Sequence, residues 1–225
     1  MYSFVLLEYI GLALNMVKTI KFVAIGNSLT VGFTPSTFTT SNSYPEFLKE
    51  ITDDFLKQTG KTNSLEVTFR NKGINGDLTS GMLSRFKQDV IDLKPKYVII
   101  LGGTNDIGWG FQVEEIFTNL KKMMEIAQDN KVQPISCTIP SVLGWDEGIP
   151  TRLQLNKLLK QFCREKEIPC VDLFLKTSDP QTKKLKSKYS IDGLHLNTSG
   201  YRKIAETIFE EAVRDLILSE LKLAN

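Results

Sequence analysis

The sequence is poor in the two residue types that most often bind metals, with one histidine and three cysteines in 225 residues. The cysteines, Cys137, Cys163 and Cys170, are odd in number and have no spacing typical of metal ligands. We therefore expect reduced, structural thiols of the kind found in cytosolic proteins.

The chain also lacks a strong charge of either sign. Its 28 Lys and Arg against 26 Asp and Glu give a net charge of +2, which argues against a strongly basic nucleic-acid-binding protein. The densest basic segment, residues 183–188, is predicted to be a solvated loop rather than a phosphate-binding track. No nucleic-acid partner is expected.

No apolar segment has the features of a signal peptide or a membrane span. Residues 1–17 are mostly apolar, but they contain Glu8 and Asn15, and no Lys or Arg precedes Lys18. The positive region of a signal peptide is therefore missing, and the segment is short for a span. We interpret it as a non-essential N-terminal extension, with a packed helix as the second alternative and a membrane anchor as the third. A cytoplasmic protein without a stable membrane anchor is expected.

Strand and helix patterns alternate along the rest of the chain, whose 41% apolar and 24% charged residues are typical of a globular protein. Short apolar runs predict strands at residues 22–25, 65–69, 97–101, 132–139 and 170–173, separated by amphipathic helices near residues 44–59, 79–93, 113–128, 151–166 and 199–221. This alternation predicts a three-layer α/β/α fold with a five-stranded parallel sheet in the flavodoxin-like order 2-1-3-4-5. No linker or repeat divides residues 18–225, which we predict to form one domain.

Small and polar residues follow the first three predicted strands. Ser28, Gly76 and Asn105 each lie in such a loop, and the carboxyl ends of parallel strands share one edge of the sheet. Taken alone, Ser28 is slightly more typical of a helix N-cap than of a nucleophile on a tight strand-to-helix turn. Gly73 and Gly76 could be turn residues alone, Asn105 could satisfy loop backbone, and Asp106 is expected to cap the segment that follows it.

The single histidine, His195, lies in a predicted loop, with Asp192 three residues upstream. An isolated histidine is more often structural than catalytic, and an Asp-Gly pair often marks only a turn. A carboxylate within reach of the imidazole, together with the glycine-containing loops, favours a catalytic acid–base pair instead.

Four segments in this order resemble the motif blocks of the SGNH, or GDSL-type, hydrolases, and the resemblance extends over residues 20–216. Residues 26–30 (GNSLT) are similar to the first block, residues 71–77 (NKGINGD) to the second, residues 103–106 (GTND) to the G-x-N-D block and residues 192–195 (DGLH) to the D-x-x-H block. The chain departs from the family at Asn27, where Asp is usual, and at Leu196, where Pro is common. Asn27 keeps the side-chain acceptor that can brace the turn, whereas Leu196 could loosen the histidine loop.

The resemblance implies a Ser28–His195–Asp192 triad that cleaves carboxylic ester or thioester bonds of small or lipid-like acyl substrates. It also implies an oxyanion hole formed by the backbone N–H groups of Ser28 and Gly76 and by the side chain of Asn105. Neither a metal nor an organic cofactor is implied. The partner is a small-molecule acyl ester, and the oligomeric state stays open.

Two other classes of function compete with this prediction. A flavodoxin-like module could bind FMN or another phosphate on the loop of residues 26–30, and a relative of the hydrolases could be catalytically silent. The candidates to line an acyl pocket are Trp109, Phe111, Trp145 and residues 33–38, each of which could equally be ordinary loop packing.

Overall fold

The computed structural model describes residues 17–35 and 43–222. A five-stranded parallel sheet of order β2-β1-β3-β4-β5 forms its centre, and helices cover both sides. The strands are β1 (Lys18–Gly26), β2 (Leu65–Gly73), β3 (Tyr97–Leu101), β4 (Gln133–Cys137) and β5 (Cys170–Val171). The predicted fold class and strand order are confirmed.

The α-helices lie between and after these strands. They are α1 (Ser28–Val31), α2 (Tyr44–Gln58), α3 (Thr79–Asp89), α4 (Thr104–Gly108), α5 (Val113–Asp129), α6 (Gly148–Glu165), α7 (Leu173–Thr177), α8 (Thr198–Ile208) and α9 (Arg214–Lys222). Short 3₁₀ turns occupy Ile91–Leu93 and Ser187–Tyr189, and a π-helical turn, Phe209–Val213, joins α8 to α9. Helix α2 packs on α8, whereas α5 packs on both α3 and α6.

The three strands that carry the site are held in a defined register. In the parallel pairs, Gly26 at the end of β1 lies opposite Gly73 of β2 and Leu101 of β3. All five residues of β3 are buried, as its continuous apolar run predicts for a central parallel strand. The loops that follow β1, β2 and β3 therefore leave the sheet side by side.

Several boundaries differ from the sequence-based prediction. Strand β1 begins at Lys18, before its apolar run, because backbone pairing with β2 begins there. Helix α6 begins at Gly148 rather than at residue 151, since Pro150 can occupy a first helical turn without the loss of a helical hydrogen bond. The predicted last helix is divided by the π-helical turn, and the short helices α1, α4 and α7 have too few residues to show an apolar period.

A buried carboxylate ties the C-terminal helix to the sheet. Glu220 of α9 is 3% exposed and forms ion pairs with Lys18, at 2.7 Å, and with Lys96, while the Tyr97 hydroxyl donates to it at 2.8 Å. Burial alone would raise the pKa of Glu220, but its bonds from Lys18, Lys96 and Tyr97 outweigh that effect and lower it to about 2.

The prediction for the N-terminal segment falls almost wholly on residues 1–16, which lie outside the described residues. The boundary between an extension and the domain therefore stays a prediction. Within residues 17–35 and 43–222, the apolar stretch needed to cross a bilayer occurs in none of the helices.

Candidate active site

Ser28 is the first residue of α1, two residues after the end of the interior strand β1, and it is 7% exposed. The helix is capped by the preceding residue, since the Asn27 Oδ1 accepts a hydrogen bond from the Leu29 N–H at 3.0 Å. The N-cap interpretation of Ser28 is therefore wrong, and its hydroxyl is not used as a cap. The side-chain acceptor of Asn27 thus braces the turn, as expected from the sequence.

Two glycines let the strand ends approach α1 closely. A β-carbon on Gly26 would collide with the Thr30 side chain and the Leu101 carbonyl oxygen, and one on Gly73 would collide with the backbone of Val31. These contacts explain why glycine is needed at both positions, and they place the end of β2 directly beside the helix that begins at Ser28.

Gly76 lies in the turn that follows β2. The Asp77 N–H donates to the Ile74 carbonyl oxygen at 3.2 Å, and Gly76 has a φ of +75° within this turn. The position of a β-carbon on Gly76 is open space, so its backbone conformation, rather than crowding, favours glycine here. Gly76 is exposed, and its N–H belongs to a loop at the same sheet edge as Ser28.

Arg85 of α3 fixes this loop against the strands. Its guanidinium donates to the Asp77 carboxylate at 2.9 Å, to the Lys72 carbonyl oxygen at 2.9 Å and to the Gly26 carbonyl oxygen at 3.0 Å. A fourth bond, at 2.8 Å, reaches Asp89 on the same helix. One largely buried side chain thus connects the ends of β1 and β2 with the loop of Gly76, a role that sequence reasoning missed.

Asn105 lies in α4, directly after β3. Its Nδ2 donates to the Asp77 carbonyl oxygen at 2.9 Å, so the loop after β3 is bonded to the loop after β2. The neighbouring Asp106 is buried, and its carboxylate accepts bonds from the Thr79 N–H, at 3.0 and 3.2 Å, and from the Thr79 hydroxyl, at 2.5 Å. Asp106 therefore caps the earlier helix α3, whereas the sequence predicts a cap for the segment that follows.

Asp192 and His195 form a bonded pair. The Asp192 Oδ2 lies 2.7 Å from the His195 Nδ1, while the Asp192 Oδ1 accepts from the backbone N–H groups of Leu194, at 2.9 Å, and His195, at 2.7 Å. Partial burial would raise the pKa of Asp192, but the bond from the His195 ring and the two backbone bonds outweigh it and lower the pKa below its usual value. Because an ionised carboxylate only accepts, the contact assigns the proton of a neutral ring to Nδ1 and leaves the lone pair on Nε2.

The loop that carries this pair is braced from within. The Ser190 hydroxyl donates to the His195 carbonyl oxygen at 2.7 Å and accepts from the Gly193 N–H at 2.9 Å. Leu196, at the position where the family often has proline, is fully buried and bridges to Ser190 in an antiparallel arrangement. The burial of Leu196 thus attaches the loop to the core.

An aromatic contact brings His195 to the segment that begins at Ser28. The rings of Phe33 and His195 meet edge to face, with centroids 4.9 Å apart, and the Phe33 N–H donates to the Ser28 carbonyl oxygen at 3.1 Å. The Tyr201 hydroxyl of α8 donates to the Phe33 carbonyl oxygen at 2.7 Å and so supports the same segment.

Asn105 and Asp192 both line a cleft of about 500 Å³ at this edge of the sheet. Trp109, Trp145 and Arg152 also line it, so two of the predicted pocket aromatics are placed there. Phe111 instead lines a neighbouring groove together with Trp145. Of residues 33–38, the last three lie outside the described part of the chain. Within the described part, no cluster of three or more His, Cys, Asp or Glu is arranged to hold a metal ion.

The fold is that of an α/β protein with a serine, an asparagine and an Asp–His pair in loops at the carboxyl edge of a parallel sheet, and the asparagine and the aspartate also line the cleft. A family model of the GDSL-like lipases and acylhydrolases matches residues 24–203, and the chain belongs to this family. The resemblance carried by the four motif blocks is therefore confirmed.

Two similar proteins differ in how much of their length they share with this chain. An arylesterase from Vibrio mimicus is 24% identical over 196 residues, which span 87% of this chain and 90% of that enzyme. An N-acylneuraminate cytidylyltransferase from Streptococcus agalactiae is 29% identical over 122 residues, and this match covers 54% of the chain but only 26% of that enzyme. This chain therefore matches only about a quarter of the length of the cytidylyltransferase.

Solved structures share the fold over most of their length. A lipolytic protein of the G-D-S-L family from Desulfitobacterium hafniense superposes with a TM-score of 0.71 at 25% identity, covering 84% of this chain and 98% of that one. A lipase/acylhydrolase from Enterococcus faecalis gives a TM-score of 0.69 at 25% identity, covering 85% and 94% respectively.

Proposed function

We propose that this protein is a serine hydrolase that cleaves carboxylic ester or thioester bonds through Ser28, His195 and Asp192. The observation that carries the proposal is the Asp192–His195 contact, because it orients the only histidine with Nδ1 protonated and Nε2 able to accept a proton. Ser28 also supports the proposal, since it follows strand β1 and the helix that it begins is capped by Asn27 instead.

In the first half of the reaction, the Ser28 Oγ attacks the acyl carbonyl carbon while its proton passes to the His195 Nε2. The ionised Asp192 stabilises the imidazolium that results. The bond to the leaving alcohol or thiol then breaks, and the proton on Nε2 goes to that group. Water attacks the acyl-enzyme in the same way, and the free acid and the Ser28 hydroxyl are restored.

The tetrahedral oxyanion needs donors aimed at one point. The Ser28 and Gly76 backbone N–H groups and the Asn105 side chain are the proposed donors. Two contacts support this assignment. The bond from Asn105 to the Asp77 carbonyl oxygen holds the loops of Asn105 and Gly76 together, and Arg85 holds the Gly76 loop against the end of β1.

The competing phosphate-binding function finds less support in the geometry. Helix α1 has only four residues, and its Leu29 N–H is already bonded to Asn27. A phosphate at this turn would also leave the Asp192–His195 pair and the Asn105 amide without a role. FMN or nucleotide retained through purification would favour the binding module instead.

Covalent labelling tests the hydrolase proposal directly. A fluorophosphonate should label Ser28 in the wild-type protein, and the variants S28A and H195A should both lose hydrolysis of a short-chain aryl ester. Ser43, a buried serine at the N-cap of α2, offers a matched control, because S43A should keep both labelling and activity. Wild-type turnover in folded S28A and H195A would refute the triad, and a folded wild type that is neither labelled nor active would identify a silent relative.

The substrate class is proposed at the level of a small or slender acyl ester. The arylesterase similarity supports aryl esters as first substrates, and the cleft volume of about 500 Å³ suits a compact acyl group. A series of nitrophenyl esters of increasing chain length should show kcat/KM falling beyond short chains. A continued rise towards long chains would contradict this part of the proposal.

A further inference from the structure

Arg152 is a fully buried cation in the wall of the cleft. It lies in the first turns of α6, is 1% exposed, and lines the same cleft as Asn105 and Asp192. Its Nη1 donates to the Gly148 carbonyl oxygen at 3.2 Å, and its guanidinium lies over the Trp145 ring at 5.2 Å. Within residues 17–35 and 43–222 no carboxylate forms an ion pair with it, and its buried Nε has no acceptor.

A buried arginine without a counter-charge is an unusual and costly feature. Guanidinium carries five N–H donors, and a buried charge that lacks a partner destabilises the folded protein. Burial lowers the pKa of Arg152 only to about 10, so the side chain stays positively charged near neutral pH. Arg85, another largely buried arginine, shows the usual solution, because it forms ion pairs with the carboxylates of Asp77 and Asp89.

We propose that Arg152 binds a carboxylate group of the ester substrate. This inference rests on the proposed hydrolase function and names a substrate class for it, namely esters that carry a carboxylate besides the bond that is cleaved. A single guanidinium supplies one positive charge and a planar pair of donors, which match a carboxylate in charge and in shape. The Trp145 face holds the guanidinium plane in place, so that the unused donors are oriented before the substrate enters.

The carboxylate can belong to the acyl part or to the alcohol part of the ester, and two matched substrate pairs separate these cases. The first pair is 4-nitrophenyl monoadipate and its methyl ester, which differ in charge on the acyl side. The second pair is 3-acetoxybenzoate and its methyl ester, which differ in charge on the alcohol side. In one of the pairs the wild-type protein should favour the charged member by about 10- to 100-fold in kcat/KM.

Substitution of Arg152 should remove this preference selectively. The variant R152M keeps an unbranched side chain against Trp145, and it should lower kcat/KM for the charged member while the neutral member changes little. R152K keeps the charge but loses the planar fork, so an intermediate preference is expected. R164M is the matched control, because Arg164 is an exposed arginine at the other end of the same helix.

The outcomes separate this inference from the hydrolase proposal. Hydrolysis of the neutral esters without any preference for a charged member refutes the carboxylate site and leaves the hydrolase intact. An equal loss on both members in a folded R152M assigns Arg152 a structural role and also refutes it. If R152M does not fold, the carboxylate site is tested by the ratio of kcat/KM between the charged and the neutral member, measured for R152K and for the wild type. Absence of both fluorophosphonate labelling and neutral-ester hydrolysis refutes the hydrolase proposal itself.

Discussion

The Nδ2 of Asn105 donates a hydrogen bond to the carbonyl oxygen of Asp77 at 2.9 Å, across 28 residues of sequence. A side-chain amide carries two N–H donors, and this is the one hydrogen bond that Asn105 Nδ2 makes within the described residues. The bond therefore orients the amide and leaves its second N–H for a ligand in the cleft. It also ties the loop of Gly76 to the loop of Asn105, so the two loops that carry proposed oxyanion donors are held together.

Removal of the Asn105 amide should affect turnover more than substrate binding. The variant N105A is expected to lower kcat by about 10²- to 10³-fold with a smaller change in KM, because an oxyanion donor acts mainly in the transition state. Steady-state kinetics on a short aryl ester measures both constants. N130A removes an exposed amide at the end of α5 and should behave as the wild type. Unchanged kcat in N105A would exclude Asn105 from the oxyanion hole.

Gly76 and Gly60 allow a matched test of backbone geometry. Both have positive φ angles, +75° and +67°, and both have open space where a β-carbon would stand. The variants G76A and G60A should each lose about 1 kcal/mol of unfolding free energy, since alanine is strained in this conformation. Only G76A should lose kcat, because relief of the strain would rotate the peptide whose N–H is a proposed donor to the oxyanion, whereas the Gly60 N–H has no such role. Equal activities of the two variants would show that the Gly76 N–H does not serve in this way.

Arg85 is predicted to position the site rather than to touch the substrate. The variant R85M removes bonds to Gly26, Lys72 and Asp77 and should lower unfolding free energy by about 2 kcal/mol, the scale of charged hydrogen bonds. It should also lower kcat with little change in KM, and R85K should recover part of kcat. R70M removes an exposed arginine of β2 as a control. A stability loss in R85M with full kcat would indicate a purely structural role.

Asp192 should be needed for orientation of His195. In D192N an amide replaces the acceptor of the Nδ1 proton, so the ring can adopt the wrong tautomer, and kcat should fall by about 10²- to 10⁴-fold. Circular dichroism and thermal unfolding serve to show that the fold is kept. A variant that retains most of the wild-type kcat would remove Asp192 from the triad and leave a Ser28–His195 pair.

The unfolding free energy of the protein should decrease in acid because of Glu220. Its pKa is lowered from 4.5 to about 2 in the folded protein, so its contribution to stability is present above pH 4.5 and is lost as the pH falls towards 2. The variant E220Q should be less stable than the wild type by about 2 kcal/mol near neutral pH, and this difference should shrink through that acidic range. Urea unfolding at several pH values measures it. A difference that does not change with pH would contradict the lowered pKa.

Much of the fold and part of the site could be predicted from local patterns. The apolar run of β3 and the alternation of strands with helices are enough to predict the sheet order, because parallel strands with right-handed crossovers leave few topologies. Ser28, Asn105 and the Asp192–His195 spacing were also visible, since each depends on residues close together in the sequence. The N-cap alternative for Ser28 could not be resolved in this way, because Asn27 and Ser28 are both good caps.

The strand order, the family and the positions that face one sheet edge follow from the amino-acid sequence, because they depend on short-range patterns of polarity and on residue spacing. Three-dimensional packing was needed to reveal that Arg85 bonds the ends of β1 and β2 and that Asp106 caps the earlier helix α3. The packing also places Glu220 beside Lys18, the first residue of β1, and Lys96, which directly precedes β3. Each of these contacts joins residues far apart in the chain, and no local pattern encodes them. The same is true of Arg152, whose lack of a carboxylate partner among the described residues is visible only once every neighbour is in place.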